Sequence, residues 1–173
     1  MESKLHSRTS WHEKMNKPAE PKIVHIKPGW GQWQRQFGNG TMLIATPRLI
    51  QQLMEKARKG KLLTIGQIRD QLAMDFGTTT TCPLTTGIFA RIVAEAANEE
   101  LESGKSRVTP FWRLIRDDGT LMEKFPGGVP AQAKMLRNEG HTIVASKTKK
   151  PPRVKDHEDK LVKLQGRSAP REV

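Results

Sequence analysis

Cysteine is all but missing from this chain. The one thiol, Cys82, excludes a disulfide framework within the chain and a cysteine-rich zinc site. Such usage fits a reducing cytoplasm. Long apolar runs are missing too. No stretch approaches the ~18 apolar residues of a membrane span, and the opening MESKLHSRTSWHEK lacks the apolar core of a secretory signal. No membrane partner is expected. Hydrophobic residues are scarce overall, at 35%. With 14 glycines and 11 prolines in 173 residues, part of the chain is expected to stay outside any core. The histidines (His6, His12, His25, His141 and His157) are scattered, with no spacing that suggests a metal site or a triad. No metal and no cofactor are expected.

Positive charge is what the chain has in plenty. A net charge of +12 favours a polyanion as partner; a basic, solubilising surface is the plainer alternative. Three segments divide that charge. Residues 1–38 carry +4, residues 39–144 carry +3 and residues 145–173 carry +5. Residues 1–38 read as an irregular basic segment, although Trp11, Trp30, Trp33 and Phe37 are costly to leave in water. Trp30 to Phe37 is expected to pack on the core. Residues 145–173 have almost no apolar periodicity and read as a disordered basic tail. Their densest cations are Lys147, Lys149, Lys150, Arg153 and Lys155, and Val154, Leu161, Val162 and Leu164 are the few apolar residues among them.

The middle segment, 39–144, reads as one compact domain, α/β and mostly helical. Thr46-Pro47 is an N-cap followed by proline at the first helical position. Leu49, Ile50, Leu53, Met54 and Ala57 follow at helical spacing, with Gly60 beyond the stop. Thr64 caps a second helix that turns Ile65, Ile68 and Leu72 inward and ends at Gly77. After a polar connector, Thr78–Thr81, a third helix runs from about Thr85 to Ser103. Its inward face is read as Ile88, Phe89, Ile92, Val93 and Ala96. Two helices joined by a short connector have the pattern of a helix-turn-helix. An extended wing is expected near 108–122, turned by Asp117-Asp118-Gly119. Pro130 opens a last helix, closed by Gly140.

Residues 60–140 resemble the C-terminal DNA-binding domain of alkylguanine-DNA alkyltransferases and alkyltransferase-like proteins. Gly60-Lys-Leu-Leu-Thr-Ile-Gly-Gln-Ile68 is similar to the family's G-x-V-x-T-Y-G-x-I opening, and Pro110-Phe-Trp-Arg-Leu-Ile115 stands where the family has P-C-H-R-V-[VI]. Asp118-Gly119-x-Leu121, Gly127-Gly128, Gln132, Leu136 and Glu139-Gly140 follow in order. The resemblance implies a winged-helix-like fold with flexible basic tails. It also implies loss of the family's chemistry. The nucleophilic cysteine is replaced by Phe111, and the histidine that would activate it by Trp112. Neither a phenyl ring nor an indole can do that work. No catalytic residue is expected, and the chain is read as a non-enzyme. Cys82 stands far upstream and is no substitute. The family's nucleotide-flipping Tyr and Arg are matched here by Ile65 and Gly87.

The resemblance implies a DNA-binding set of Thr64, Ile65, Thr80, Thr81, Thr85, Thr86 and Arg91. Threonine hydroxyls and backbone N–H groups would meet phosphates there; capping and connecting helices is their plainer role. It implies a lesion pocket of Phe111, Trp112, Arg113, Gly127 and Gly128, with the two aromatics either filling it or offering a platform to an extruded base. Glu95, Glu99, Glu100 and Glu102 would repel phosphate from the later turns of the third helix. The expected function is non-catalytic binding of duplex DNA by a monomer in the cytoplasm, associated with the nucleoid. It extends to recognition of alkylated DNA for other repair proteins. The alternative is a structural or regulatory protein-interaction domain that has lost lesion recognition.

Overall fold

A computed structural model describes residues 9–164. It is a mixed α/β structure in which helices dominate and the sheets are small. Helix α1 (Trp11–Asn16) and strand β1 (Lys22–His25) lead to α2 (Gln32–Phe37), β2 (Thr41–Ile44) and α3 (Pro47–Met54). Strand β3 (Leu63–Thr64) runs into α4 (Ile65–Phe76), then β4 (Thr80–Thr81) and the long α5 (Pro83–Glu102). A short 3-10 helix over Phe111–Arg113 precedes β5 (Leu114–Ile115) and α6 (Gly128–Asn138). Strands β6 (Ile143–Val144) and β7 (Arg153–Val154) follow, and a last 3-10 turn covers His157–Lys160.

Local chemistry explains the helix starts. The Thr46 hydroxyl accepts from the Leu49 N–H, with Pro47 at the first helical position. Thr64 and Gln67 form a reciprocal capping box at the start of α4, and Gly77 closes that helix. The core lies between α3, α4 and α5. Leu43, Ile50, Ile68, Ala90 and Ala94 are fully sequestered there. A second cluster of Leu62, Ile115, Leu121, Leu136 and Val154 sits under α6.

Strand pairing is mostly long-range. β2 joins β1 antiparallel, with Ile23 opposite Leu43, and joins β4 in parallel, with Leu43 opposite Thr81. β3 and β5 pair in parallel, Leu63 with Leu114 and Thr64 with Ile115. β6 and β7 form an antiparallel pair, Ile143 with Val154.

Several expectations need correction. Of the segment 1–38, residues 1–8 lie outside the described residues, and residues 9–38 are not irregular: α1 packs on α5, Met15 enters the core, and β1 belongs to the three-stranded sheet. Trp33 and Phe37 stack on each other, centroids 6.1 Å apart, and Trp30 stays exposed; none joins either core cluster. The tail is not disordered over 145–164. Val154 is fully buried, its N–H donates to the Gly119 carbonyl at 2.9 Å, and the Val162 N–H donates to Leu62 at 2.8 Å. Its few apolar residues are used on the chain's own core, which periodicity could not reveal. Residues 165–173 lie outside the described residues. The wing expected over 108–122 is also replaced. Phe111–Arg113 coils into a 3-10 turn, and β5 pairs in parallel with β3 rather than folding back on itself. The antiparallel hairpin is instead β6–β7. Among the described residues no helix is long and apolar enough to cross a membrane.

Two outcomes follow from the packing. Val154→Ala removes two buried methyl groups and is expected to cost about 2 kcal/mol in urea unfolding; no change in midpoint would mean that 145–164 adds nothing to the fold. His141 is buried, its Nε2 has no hydrogen-bond partner among the described residues, and burial lowers its pKa below the ordinary 6.5. The unfolded chain therefore takes up the proton first. Stability is full above about pH 6.5 and falls as pH drops toward the folded value. Thermal melts between pH 8 and 5 should show this slope in the wild type and a flatter one in His141→Leu.

Candidate nucleic-acid interface

α5 presents two unlike faces in its first turns. Thr86, Ala90, Val93, Ala94 and Ala97 form its buried stripe. The small alanines let α3 and α1 approach closely. That stripe rotates Ile88 outward, contrary to the inward position expected from the sequence. Leu84 is 68% exposed and Ile88 50% exposed, one turn apart. Gly87 lies beside them with open space where a side chain would be.

An open groove of about 850 Å³ runs along this face. α1 supplies Trp11 and Lys14 as one wall, and Ile65 stands at the start of α4. Arg116, Asp117 and the loop from Met122 to Phe125 form the other side. Four cations, Lys14, Arg91, Arg116 and Lys124, line it against two carboxylates, Asp117 and Glu123.

Each wall is held by identifiable contacts. The Glu99 carboxylate accepts from the Trp11 and His12 backbone N–H groups, both at 3.0 Å, and so grafts the start of α1 onto α5. Arg91 sits 3.6 Å from Glu95 and 5.5 Å from the centre of the Trp11 ring. On the far wall, Asp117 accepts from the Gly66 N–H at 2.7 Å. A Cβ on Gly66 would lie 2.5 Å from that carboxylate, so only glycine admits the contact. Gly119 turns the same loop at φ +84 and lies against His157, whose Nε2 is 3.2 Å from the Asp117 carbonyl oxygen. Beside it, the Thr120 hydroxyl bond holds the Asp118 carboxyl below its ordinary pKa, aided by the Lys150 and Arg116 charges. Lys150 belongs to the β6–β7 connection, whose charge therefore reaches the Asp117–Gly119 turn.

The residues singled out from sequence divide sharply. Ile65 and Arg91 line the groove. Thr64, Thr80, Thr81 and Thr86 are buried, and their hydroxyls are occupied. Thr64 caps α4, Thr81 donates to the Arg69 carbonyl at 2.9 Å, and Thr86 donates to the Cys82 carbonyl at 2.7 Å. Thr80 donates to the Thr81 carbonyl and accepts from Arg69. Offering these four hydroxyls to phosphates is therefore corrected: Thr64 caps α4, and the other three hold the connector between α4 and α5, where Thr80–Thr81 is a strand in the sheet. Thr85 is half-buried and bonded to the Cys82 carbonyl at 3.4 Å. Cys82 itself is half-buried before α5. The carboxylates of α5 also have local partners. Besides Glu95 and Glu99, Glu100 pairs with Lys105 at 3.5 Å and Glu102 accepts from Asn98.

Nor do the five residues assigned to a lesion pocket line the groove. Phe111 is 2% exposed and meets Trp112 and Phe125 edge-on, with centroids 5.4 and 6.2 Å apart. Only Phe125 reaches the groove, and Phe111 fills the space behind it. Gly127 and Gly128 form the turn into α6. Trp112 and Arg113 converge instead on Glu139. The indole N–H donates at 3.0 Å, and the guanidinium donates to the same carboxylate through Nη2 at 2.6 Å. The Gly60 N–H adds a contact at 3.4 Å, and Arg113 Nη1 donates to the Ala57 carbonyl at 2.6 Å. Burial works to raise the Glu139 pKa, but the Arg113 and Trp112 hydrogen bonds and the Arg113 charge outweigh it and hold the carboxyl below 4.5. Sequence reasoning missed Trp11, Leu84 and Lys14. Leu84 was legible as an apolar residue off the buried stripe; the other two depend on α1 docking.

Glu139→Gln leaves the Arg113 charge uncompensated at a site where both side chains are largely buried, and is expected to cost about 3–5 kcal/mol. Because the folded pKa is depressed, this contribution is present above about pH 4.5 and disappears as pH falls through the folded value. Denaturant midpoints at pH 7 and pH 3 test both. A variant equal to wild type at pH 7 would contradict the assignment.

No family model matches the chain, and comparison with curated proteins and with solved structures finds no match.

Proposed function

We propose that this chain is a non-catalytic, duplex DNA-binding protein of the alkyltransferase-like type. In this reading α4 and α5 serve as a helix-turn-helix and the β6–β7 hairpin takes the place of a wing. The carrying observation is the exposed pair Leu84 and Ile88 on the first turns of α5, bordered by Lys14, Arg91, Arg116 and Lys124. Apolar side chains of this kind wedge between base steps from the minor groove, while flanking cations take the phosphates.

Chemistry on the DNA is not part of the proposal. Phe111 and Trp112 provide neither a nucleophile nor a base, and Phe111 closes the space behind Phe125. The groove would read a distorted, alkylated duplex by its deformability. Its product would be a marked site for other repair proteins, in the cytoplasm and at the nucleoid, with the chain acting as a monomer.

A protein partner is the competing possibility, and one observation favours it: Asp117 and Glu123 stand in the groove, where they would oppose phosphate. Fluorescence anisotropy with a labelled duplex separates the two. At ~50 mM salt, saturable binding that weakens steeply as salt rises is expected. Ile88→Asp is expected to weaken it by about tenfold or more, since it sets a carboxylate against phosphates. No saturable binding by the wild type would favour the protein partner. Labelled methyl from alkylguanine DNA appearing on the chain would contradict the non-catalytic assignment.

A further inference from the structure

We infer that the opposite end of α5 carries a second ligand surface, a cationic cleft that binds runs of phosphate groups. The cleft is open, about 630 Å³, and is bounded by the loop after α3 and the loop after α5. Arg58 and Lys59 line it from the first loop and Arg107 from the second. All three are exposed, and among the described residues none has an ion-pair partner.

Two carboxylates also line the cleft, and of these Glu100 is paired with a cation. Glu55 accepts from the Thr109 hydroxyl at 3.2 Å, and Glu100 is 3.5 Å from Lys105. Arg113, which also lines the cleft, is held by Glu139. Arg58, Lys59 and Arg107 therefore outnumber Glu55, the one carboxylate lining the cleft that has no ion pair among the described residues. Cations gathered in a concave site raise the local concentration of anions more than the same charges spread over a convex surface.

These cations also stand on fixed supports. The turn bearing Arg58 and Lys59 is tied at both ends. The Ala57 carbonyl accepts from Arg113 at 2.6 Å, and the Gly60 N–H donates to Glu139 at 3.4 Å. Within it the Lys61 N–H donates to the Arg58 carbonyl at 2.9 Å. The second loop is tied through Thr109, which accepts from Gln51 at 3.1 Å. Three side chains spread over two loops suit several phosphates in a row better than a single one.

The cleft is distinct from the groove. Leu84 and Glu100 are separated by roughly 24 Å along the helix axis, at 1.5 Å per residue. The inference does not rest on the groove binding DNA. Its phosphates come either from a nucleic-acid backbone or from a free oligophosphate, and the two sources can be told apart.

Sodium tripolyphosphate titrated calorimetrically into the full chain, and a labelled duplex followed by anisotropy, are the two probes. Each is measured for wild type, for Arg58→Gln/Lys59→Gln/Arg107→Gln and for Ile88→Asp. The three replaced side chains are exposed, so the triple variant should keep the wild-type melting temperature. It is expected to bind tripolyphosphate about tenfold more weakly or worse, whereas Ile88→Asp leaves that affinity unchanged. If the source is nucleic acid, the triple variant also loses about 0.9 in salt slope for each phosphate contact removed. If the source is a free oligophosphate, duplex binding stays as in wild type. Unchanged affinity of the triple variant for both probes, or no saturable binding of either probe to the wild type, would overturn the inference.

Discussion

The Glu139 carboxylate is the point on which three parts of the chain converge. It accepts from Trp112 and Arg113 in the 3-10 turn and from Gly60 before β3, while lying at the end of α6. Arg113 extends the same knot to the Ala57 carbonyl. A charged group this far from water is tolerable only when its oxygens are saturated with donors, and here they are. The consequence is geometric. The 3-10 turn cannot drift from α6, so Phe111 stays against Phe125 and the loop 122–125 stays beside α5. The groove at one end of α5 and the cleft at the other both take a wall from elements that this carboxylate fixes.

The groove depends on a second carboxylate, Glu99, which holds the start of α1. Through it a helix of six residues, too short to persist alone, sets Trp11 and Lys14 beside Arg91. Acidic residues that looked like obstacles to a polyanion therefore have structural partners. Glu95 steadies Arg91, Glu99 caps α1 and Glu100 holds Lys105. What remains for the surface is a cationic excess at both ends of a helix whose middle is occupied. The apolar pair Leu84 and Ile88 gives one end a character that the other lacks.

Local signals were legible and long-range ones were not. Thr46-Pro47, the Thr64–Gln67 pair, Gly77 and Gly140 act within one turn of chain, and each marks its helix boundary as the sequence implies. Two-residue strands leave no periodicity, so the pairings of β2 with β4 and of β3 with β5 were invisible. From the sequence Thr80 and Thr81 therefore read as connector residues, although both are buried in the sheet. Hydrophobicity alone points Ile88 inward, yet Ala90, Ala94 and Ala97 set the buried stripe. Val154 lay in a charged stretch that composition marks as unstructured, and only the space beside Leu62 and Leu121 reveals its use. Arg113 and Glu139, by contrast, fell within the recognised motifs, though their partnership needed coordinates.

In the proposed complex the outward face of the first turns of α5 enters a DNA minor groove. Methyl-labelled protein saturated with duplex tests it most directly by nuclear Overhauser contacts. Transfer from the Leu84 and Ile88 methyl groups to minor-groove sugar and base protons is the predicted result. A saturated complex in which neither methyl group comes near the nucleic acid would contradict the account.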